Sequence, residues 1–484
     1  MAETQEKKLL PRSPVVVVMG HVDHGKTTLL DYIKKTNVAA REAGGITQSI
    51  GAYEIFHNGK IITFIDTPGH EAFSKMRARG AQVADLAILI VAADDGVQPQ
   101  TKESIQILKE TKTPFIVAIN KVDKPNADVE KTKNDLMQNE VYLEGFGGNI
   151  SWQQISAKQG NGVNELLDLI ILAADLENLT YDTQADAKGI IIEAKLDSRR
   201  GITAIGILKD GILKSGKYIS TPHACGKVKV LENFAGERVN QLIPSSPALI
   251  LGFDTLPEIG EEFTSGDIEP IIAQTKEQTR IRKMTGIEPA DKRPSLNLIM
   301  KADVSGSLEA MVSIIKNLPQ EAVRINILSE SVGEITDGDV KGAATNGAII
   351  IGFNNKPNKA AENLAKSQDI KIITSKIIYE LVKSIEDEMK AIEKPAPLGE
   401  VEILAKFSHK GKTQLIGGKV LNGFIKVNIP IKIIRDGEGI GSARIANLRQ
   451  GKQEVLQVNS PNECGILVES GNVIEIGDHL LYYR

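Results

Sequence analysis

The amino-acid sequence predicts a multidomain protein in which α/β units alternate with β-barrels, beginning with a doubly wound, mostly parallel sheet. Three observations carry this. Apolar runs fit for buried strands alternate with helical patterns over the first part of the chain. From Gly189 the pattern changes to short strands separated by glycine turns, and after about residue 295 the alternation returns. At 484 residues the chain is also far longer than one ordinary domain.

In order along the chain, Val15–Met19 is a continuous apolar run suited to a buried parallel strand, followed by a glycine-bearing loop and a helix from about Thr27 to Lys35. Tyr53–Phe56 and Ile61–Ile65 flank Asn58-Gly59, a strong type I′ hairpin signal, so these two strands are expected to pair antiparallel. Strands Leu86–Ala92, Phe115–Asn120 and Ser151–Ser156 then alternate with helical patterns near 99–111, 128–139 and 163–177. Past Gly189, strands Ile190–Leu196, Ala204–Leu208, Lys217–Ser220 and Gly226–Leu231 predict a β-barrel. A polar segment at Thr275–Met284 reads as a helical connector. Leu296–Ala302, Leu308–Asn317, Arg324–Leu328 and Ala348–Gly352 predict a second α/β domain. Ser375 is a candidate cap for a helix reaching about Glu393, with Ile378, Leu381, Val382, Ile385, Met389 and Ile392 at helical spacing. At 1.5 Å per residue it would extend roughly 28 Å and act as a linker. Short strands with glycine turns at Asn422-Gly423 and Asp436-Gly437 predict a C-terminal β-barrel. The expected domains are therefore 1–180, 181–275, a connector 276–294, then 295–374, a linker helix 375–394, and 395–484.

Composition narrows the class. The 41% hydrophobic and 25% charged content is that of a folded globular chain rather than a disordered one. Cys225 and Cys464 are far apart, which argues for a reducing compartment and against a disulfide framework or zinc site. The N-terminus lacks an apolar core of signal-peptide type, and no run of 18 apolar residues predicts a membrane span, so a cytoplasmic protein is expected. A net charge of −4 does not signal bulk binding to nucleic acid, so such a partner would be met by local patches.

The chemistry lies in short segments. Gly20-His21-Val22-Asp23-His24-Gly25-Lys26-Thr27, with Thr28 following, matches the phosphate-loop pattern between a strand and a helix. Its glycines let backbone N–H groups wrap phosphates, Lys26 would neutralise the β/γ oxygens, and the Thr27 hydroxyl would ligate Mg²⁺. Asn120-Lys121-Val122-Asp123 follows a buried strand. An aspartate there accepts hydrogen bonds from guanine N1–H and the 2-amino group, donors that adenine lacks. Ser156-Ala157-Lys158 would complete the base pocket with a backbone N–H. Asp66-Thr67-Pro68-Gly69-His70 supplies a further Mg²⁺ carboxylate, a γ-phosphate sensor in Gly69, and in His70 a residue to orient attacking water. Thr47, in the loop Ala43–Gly51, is the candidate second hydroxyl on Mg²⁺. A P-loop GTPase domain using GTP/GDP and Mg²⁺ is the resulting expectation.

These five segments, in this order, resemble the translational GTPases. Asp66 to Phe73 running on through Met76-Arg77-Ala78-Arg79-Gly80-Ala81, together with Gly44-Gly45-Ile46-Thr47-Gln48 and Ala92-Ala93-Asp94-Asp95-Gly96-Val97, is similar to the bacterial translation initiation factor 2 family. The resemblance implies binding of formylmethionyl initiator tRNA, its placement on the small ribosomal subunit, joining of the large subunit, and ribosome-stimulated GTP hydrolysis by a monomer. It implies that Val22 and Ile46 gate His70. It also implies a tRNA-binding site at Glu463-Cys464-Gly465 with Phe407 and Arg449. The sequence departs from the family's pattern at Gly418, where a second cysteine is usual, at Ser49, and in a short N-terminal lead. Two readings stay open beside it: delivery of another tRNA, and a GTP-dependent ribosome-binding factor in which hydrolysis is dispensable. Asp303-Val304-Ser305-Gly306-Ser307 has the look of a ligand loop without the full glycine pattern, and its domain is expected to be a spacer.

Overall fold

The computed structural model describes residues 9–34, 51–68, 73–267, 294–393, 397–435, 437–451 and 453–483. The chain divides into two compact units, Met1–Ser384 and Ile385–Arg484.

The first sheet of unit one has six strands in the order Gly51–His57, Lys60–Asp66, Val15–Gly20, Leu86–Ala92, Phe115–Asn120, Trp152–Gln154. All neighbours are parallel except the first pair. The central strands are buried along their whole length, which is why they read as unbroken apolar runs. Val16, Val18, Ile88 and Ile90 point to one face, where Leu29, Leu30, Leu166 and Ile170 of the helices Lys26–Lys34 and Val163–Leu176 pack on them. The hairpin turns on Asn58 (φ 45°) and Gly59 (φ 81°), the two left-handed residues a type I′ turn requires.

Helix Ser74–Val83 is absent from the sequence expectations. Its sequence is mostly polar and holds Gly80, which weakens any helical signal. The glycine is there for contact: a Cβ at Gly80 would stand 2.8 Å from Thr67 Cγ2 and 3.1 Å from Val17 Cγ2. The helix thus lies close against the end of strand Lys60–Asp66.

The second sheet is a closed six-stranded barrel in the order Gly201–Asp210, Pro247–Phe253, Cys225–Glu232, Tyr218–Ser220, Glu262–Gly266, Ala187–Asp197. Two of these strands, Pro247–Phe253 and Glu262–Gly266, escape a sequence reading. One opens on a proline and is apolar throughout, and the other is a polar stretch of five. Phe263 fills the barrel centre, where Gly189 and Gly206 leave room for its ring. The barrel is fastened to the first sheet around Asp85, which takes two hydrogen bonds from Arg12 (2.6 and 2.8 Å) and one from Lys209 (2.9 Å). Burial alone would raise the Asp85 pKa, but the two cations outweigh it and hold the carboxyl below its ordinary value. Thr63 donates to the Ser245 carbonyl at 2.7 Å beside this cluster.

The third sheet is parallel, in the order Arg324–Val332, Ser295–Ala302, Ala348–Phe353, Ile372–Ser375. Strand order reverses between Ser295–Ala302 and Ala348–Phe353, the place where open α/β sheets leave a crevice. Helices Asp337–Asn346 and Lys359–Gln368, missed in the sequence, are short and bury only small apolar side chains, but Thr336 and Asn358 cap them. Helix Ser305–Lys316 begins at the crevice and has no cap from its own N-cap residue, Val304. Instead the barrel's Glu193 accepts a hydrogen bond from the Gly306 N–H at 3.2 Å.

A helix spans Ile378–Glu393, about 24 Å at 1.5 Å per residue, over the segment where the sequence predicts one. It starts three residues later than the sequence suggests, because Ser375 ends a strand and its hydroxyl accepts from the Ile377 N–H at 3.0 Å. Ile378, Leu381 and Ile385 are fully buried, so one face of the helix is packed. The expected connector helix at 275–284 lies outside the described residues.

Unit two holds a second closed barrel. Its strands run Gly399–Lys410, His479–Tyr482, Pro430–Arg435, Glu438–Gln450, Glu463–Ser470, Thr413–Lys426 and back to the first, with two short strands appended. Ile403, Ile416, Ile433, Ile445 and Ile466 meet in its core, one from each of the long strands.

Candidate nucleotide site

The site is built at the carboxyl ends of the first sheet. Gly20 ends strand Val15–Gly20 with φ +144°, and a Cβ there would lie 2.4 Å from the Ile90 carbonyl oxygen. Gly25 has φ +95°, and a Cβ there would meet Asn120 Nδ2 at 2.2 Å. Only glycine fits either position, and the loop is drawn tightly around the start of helix Lys26–Lys34. Lys26 is buried and its ammonium donates to the carbonyls of Gly20 (2.9 Å) and His21 (2.6 Å). Burial lowers its pKa to about 8, Asp66 opposing and the charge of Arg77 assisting. Thr27 is half-buried on the helix's first turn, with Thr28 and Asp23 exposed.

The loop's histidines differ. His24 is fully buried, with Nδ1 3.4 Å from the Ile90 carbonyl and Nε2 3.3 Å from Asp95. Burial drops its pKa to about 4, and the side chain, turned into the protein, anchors the loop. His21 is half-buried, its pKa lowered by burial and then by Lys26. Val22 is held through its backbone, the N–H donating to Gln100 Oε1 at 2.8 Å.

Asn120 ties the segments together. Its Nδ2 donates to the His24 carbonyl at 2.8 Å, and its Oδ1 accepts from the Ala157 N–H at 2.9 Å. A residue that is 2% exposed thus joins the phosphate loop to both base-side loops. The Asp123 carboxylate is exposed and oriented by the Ser156 hydroxyl, which donates at 2.6 Å and is the main cause of its lowered pKa. Lys121 has φ +64°, with its ammonium 3.7 Å from Asp94, and Lys158 is exposed. Asp66 ends strand Lys60–Asp66, and Thr67 is buried with its hydroxyl on the Val18 carbonyl at 2.9 Å. Ile46, Thr47, Gly69 and His70 lie outside the described residues.

Sequence reasoning missed Gln100, Arg77, Glu103 and the pair Asp94–Asp95. Nothing in a helix beginning Pro-Gln-Thr-Lys-Glu marks its polar side chains as facing a loop. Arg77, Asp94 and Asp95 lie inside the stretches that carry the family resemblance, and that was their only signal.

In the C-terminal barrel the candidate tRNA-binding residues split between two faces. Cys464 points inward, 5% exposed, its Sγ 3.6 Å from the Gly418 carbonyl, and burial pushes the thiol pKa up to about 11. Glu463 and Gly465 face outward. Gly465 pairs with Gly417 on one side and Arg449 on the other. The Phe407 ring, 66% exposed, lies against Gly417, so Phe407, Gly417, Gly465 and Arg449 form one outer row with a glycine floor.

Among the described residues no helix is long and apolar enough to cross a membrane. A family model described as the elongation factor Tu GTP binding domain matches residues 11–175, one for elongation factor G domain 2 matches 186–266, and one for translation-initiation factor 2 matches 272–386. Translation initiation factor IF-2 of Thermosipho africanus is 42% identical over 98% of this chain and 71% of its own length. That of Rubrobacter xylanophilus is 38% identical over 100% and 73%, and that of Carboxydothermus hydrogenoformans 41% over 98% and 59%. The solved structure of GDP-bound aIF5B from Aeropyrum pernix aligns over 98% of this chain and 92% of its own, at 26% identity and a TM-score of 0.43. The chain spans 59% to 73% of the length of these relatives. With a GTP-binding domain at its head and identity to these factors along nearly its whole length, the chain belongs to the translation initiation factor IF-2 family.

Proposed function

We propose that this protein is a translation-initiation GTPase. It binds GTP, receives formylmethionyl initiator tRNA, places it on the small ribosomal subunit, promotes joining of the large subunit, and hydrolyses GTP on the ribosome. The observation that carries the reading is the Asn120 bridge, which holds the phosphate loop and the base-side loops in one frame. In that frame Lys26 and the first turn of its helix serve the β and γ phosphates, and Asp123 reads guanine N1–H and the 2-amino group.

Thr27, Thr47 and Asp66 are the residues that would hold Mg²⁺, an all-oxygen set suited to that ion. The strand register supports the fit, since Asp66 lies opposite Val18, just before the phosphate loop that opens at Gly20. Bound there, Mg²⁺ would neutralise charge on the β and γ oxygens. His70 is assigned the orientation of attacking water, with Val22 and Ile46 as an apolar gate that opens on the ribosome. The Gln100 bond to the Val22 backbone supports a fixed gate position on that side.

The sheets described above support domains at 1–180, 181–275, 295–374 and 395–484, with the helix near 375–394 joining the last two. In the final barrel the outer row of Phe407, Gly417, Gly465 and Arg449 suits an uncharged, flexible formylmethionyl group beside an acceptor end. Cys464 then supports that surface from inside the barrel.

Ribosome-stimulated GTP hydrolysis, measured with formylated and unformylated initiator tRNA, tests the whole reading. Stimulation and tighter binding with the formylated form are expected, and equal behaviour of the two would remove the initiation role. His70→Ala is expected to abolish stimulated phosphate release, and an unchanged rate would remove His70 from the mechanism.

A further inference from the structure

We propose that Arg77 and Glu103, together with Gln100, form a brace that positions the Asp66–Pro68 segment against the phosphate loop and so sets the rate of GTP hydrolysis without touching the nucleotide. The inference rests on the hydrolysis reading above and names the residues that position that site.

Arg77 lies on helix Ser74–Val83 with a side chain that is 0% exposed. A guanidinium at that depth persists only when its charge and donors are matched. Glu103, on helix Pro99–Thr111, takes two hydrogen bonds from Arg77 Nη2, at 2.6 and 2.7 Å. The other terminal nitrogen, Nη1, donates to the Pro68 carbonyl at 3.1 Å. One turn away from Glu103, Gln100 accepts the Val22 N–H. A single helical turn therefore holds both the phosphate loop, through Val22, and the chain leaving Asp66, through Arg77. Gly80 lets the arginine's helix sit against Thr67, which is itself bonded to strand Val15–Gly20.

A stabilising role alone does not account for this choice of residues. A buried ion pair contributes little net stability compared with well-packed apolar side chains of the same volume. What the planar fork adds is direction: two bonds toward one helix and a third toward one backbone carbonyl. Displacing that carbonyl by a fraction of an ångström moves the segment that carries the site's carboxylate, and hydrolysis is sensitive to such shifts.

The test uses the full chain with ribosomes. The double variant Arg77→Met with Glu103→Met replaces the pair by apolar side chains, Arg77→Lys keeps the charge but not the fork, and Gln100→Leu removes the side chain's hold on the phosphate loop at Val22 and His21. Melting temperature, GDP affinity and steady-state GTP hydrolysis at varied ribosome concentration are measured for each. The expected result is GDP affinity and melting close to wild type, with kcat reduced about 10–100-fold at unchanged KM for ribosomes in both Arg77 variants. Folded Arg77 variants that hydrolyse GTP at the wild-type rate overturn the inference. If both Arg77 variants fail to fold, Gln100→Leu decides: a reduced kcat supports the brace and a wild-type kcat overturns it. A wild-type chain without ribosome-stimulated hydrolysis overturns the GTPase reading and this inference with it, whereas an active wild type with unaffected variants overturns this inference alone.

Discussion

The Glu193 carboxylate accepts the Gly306 N–H at 3.2 Å, so a side chain of the first barrel caps the opening helix of the α/β domain. Burial raises the Glu193 pKa to about 7, and the two backbone N–H donors only partly oppose it. An unfolded glutamate ionises near 4.5, so between about pH 4.5 and 7 the folded state binds more protons than the unfolded one. Stability therefore falls as pH rises through that window, by about 3 kcal/mol in total. The expected outcome is a thermal transition of unit one that drops between pH 5 and pH 8. Glu193→Gln, which keeps an acceptor and cannot ionise, should flatten that slope and melt above wild type at pH 8. Parallel slopes for the two proteins would show that Glu193 is not the titrating group.

Asp123→Asn replaces an acceptor of two guanine hydrogen bonds with a group that offers one acceptor and competing donors. Guanine-nucleotide affinity is expected to fall roughly 100-fold, with a gain for xanthine nucleotides, whose base presents an oxygen in place of the 2-amino group. Ser156→Ala, which frees the carboxylate from its orienting hydroxyl, should lose about tenfold. Titration with fluorescent GDP and its xanthine analogue measures both.

At Gly418 a Cβ would stand 2.6 Å from Val401 Cγ1 and 2.8 Å from the Glu402 carbonyl. Gly418→Cys is expected to destabilise the C-terminal barrel by about 1–3 kcal/mol through overpacking. A melting temperature equal to wild type would mean that the strands part easily there.

Gly465 faces outward, and a Cβ on it would meet nothing closer than 3.9 Å. Gly465→Leu should leave the fold intact while filling the row between Phe407 and Arg449, lowering affinity for formylmethionyl-tRNA roughly tenfold or more. Unchanged binding by this variant would place the formylmethionyl group elsewhere.

Asp85→Asn strips the anion from between Arg12 and Lys209. Removing one member of a buried charge cluster costs about 3–5 kcal/mol. The same carboxyl, with its pKa held low, contributes stability that is present above its unfolded pKa near 3.8 and is lost as pH falls through the folded value. Calorimetry of the variant and of the wild type in acid should show the first barrel separating from the first sheet earlier than in neutral wild type.

Strands carrying continuous apolar runs, such as Val15–Met19 and Leu86–Ala92, were legible because burial on both faces leaves no room for polar residues. The Asn58-Gly59 turn was legible because few residues accept its backbone angles. Helix Ser74–Val83 was not, because Arg77 and Gly80 serve contacts that local propensity cannot register. At the site, Gly20, Gly25 and Lys26 are set by local backbone geometry and so announce themselves. Gln100 and Glu103 act across helix packing, and a sequence read along one dimension holds no sign of it. Asn120 stands in a base-side motif, and its bonds to two other loops are visible only in the structure.

The crevice where strand order reverses in the parallel α/β domain is, in other folds of this kind, the seat of a diffusible ligand. Here the barrel presents Glu193 beside it, and because both domains belong to one chain the carboxylate behaves as a tethered ligand. Opening and reclosing of this joint is accordingly unimolecular, with a midpoint that does not move on dilution.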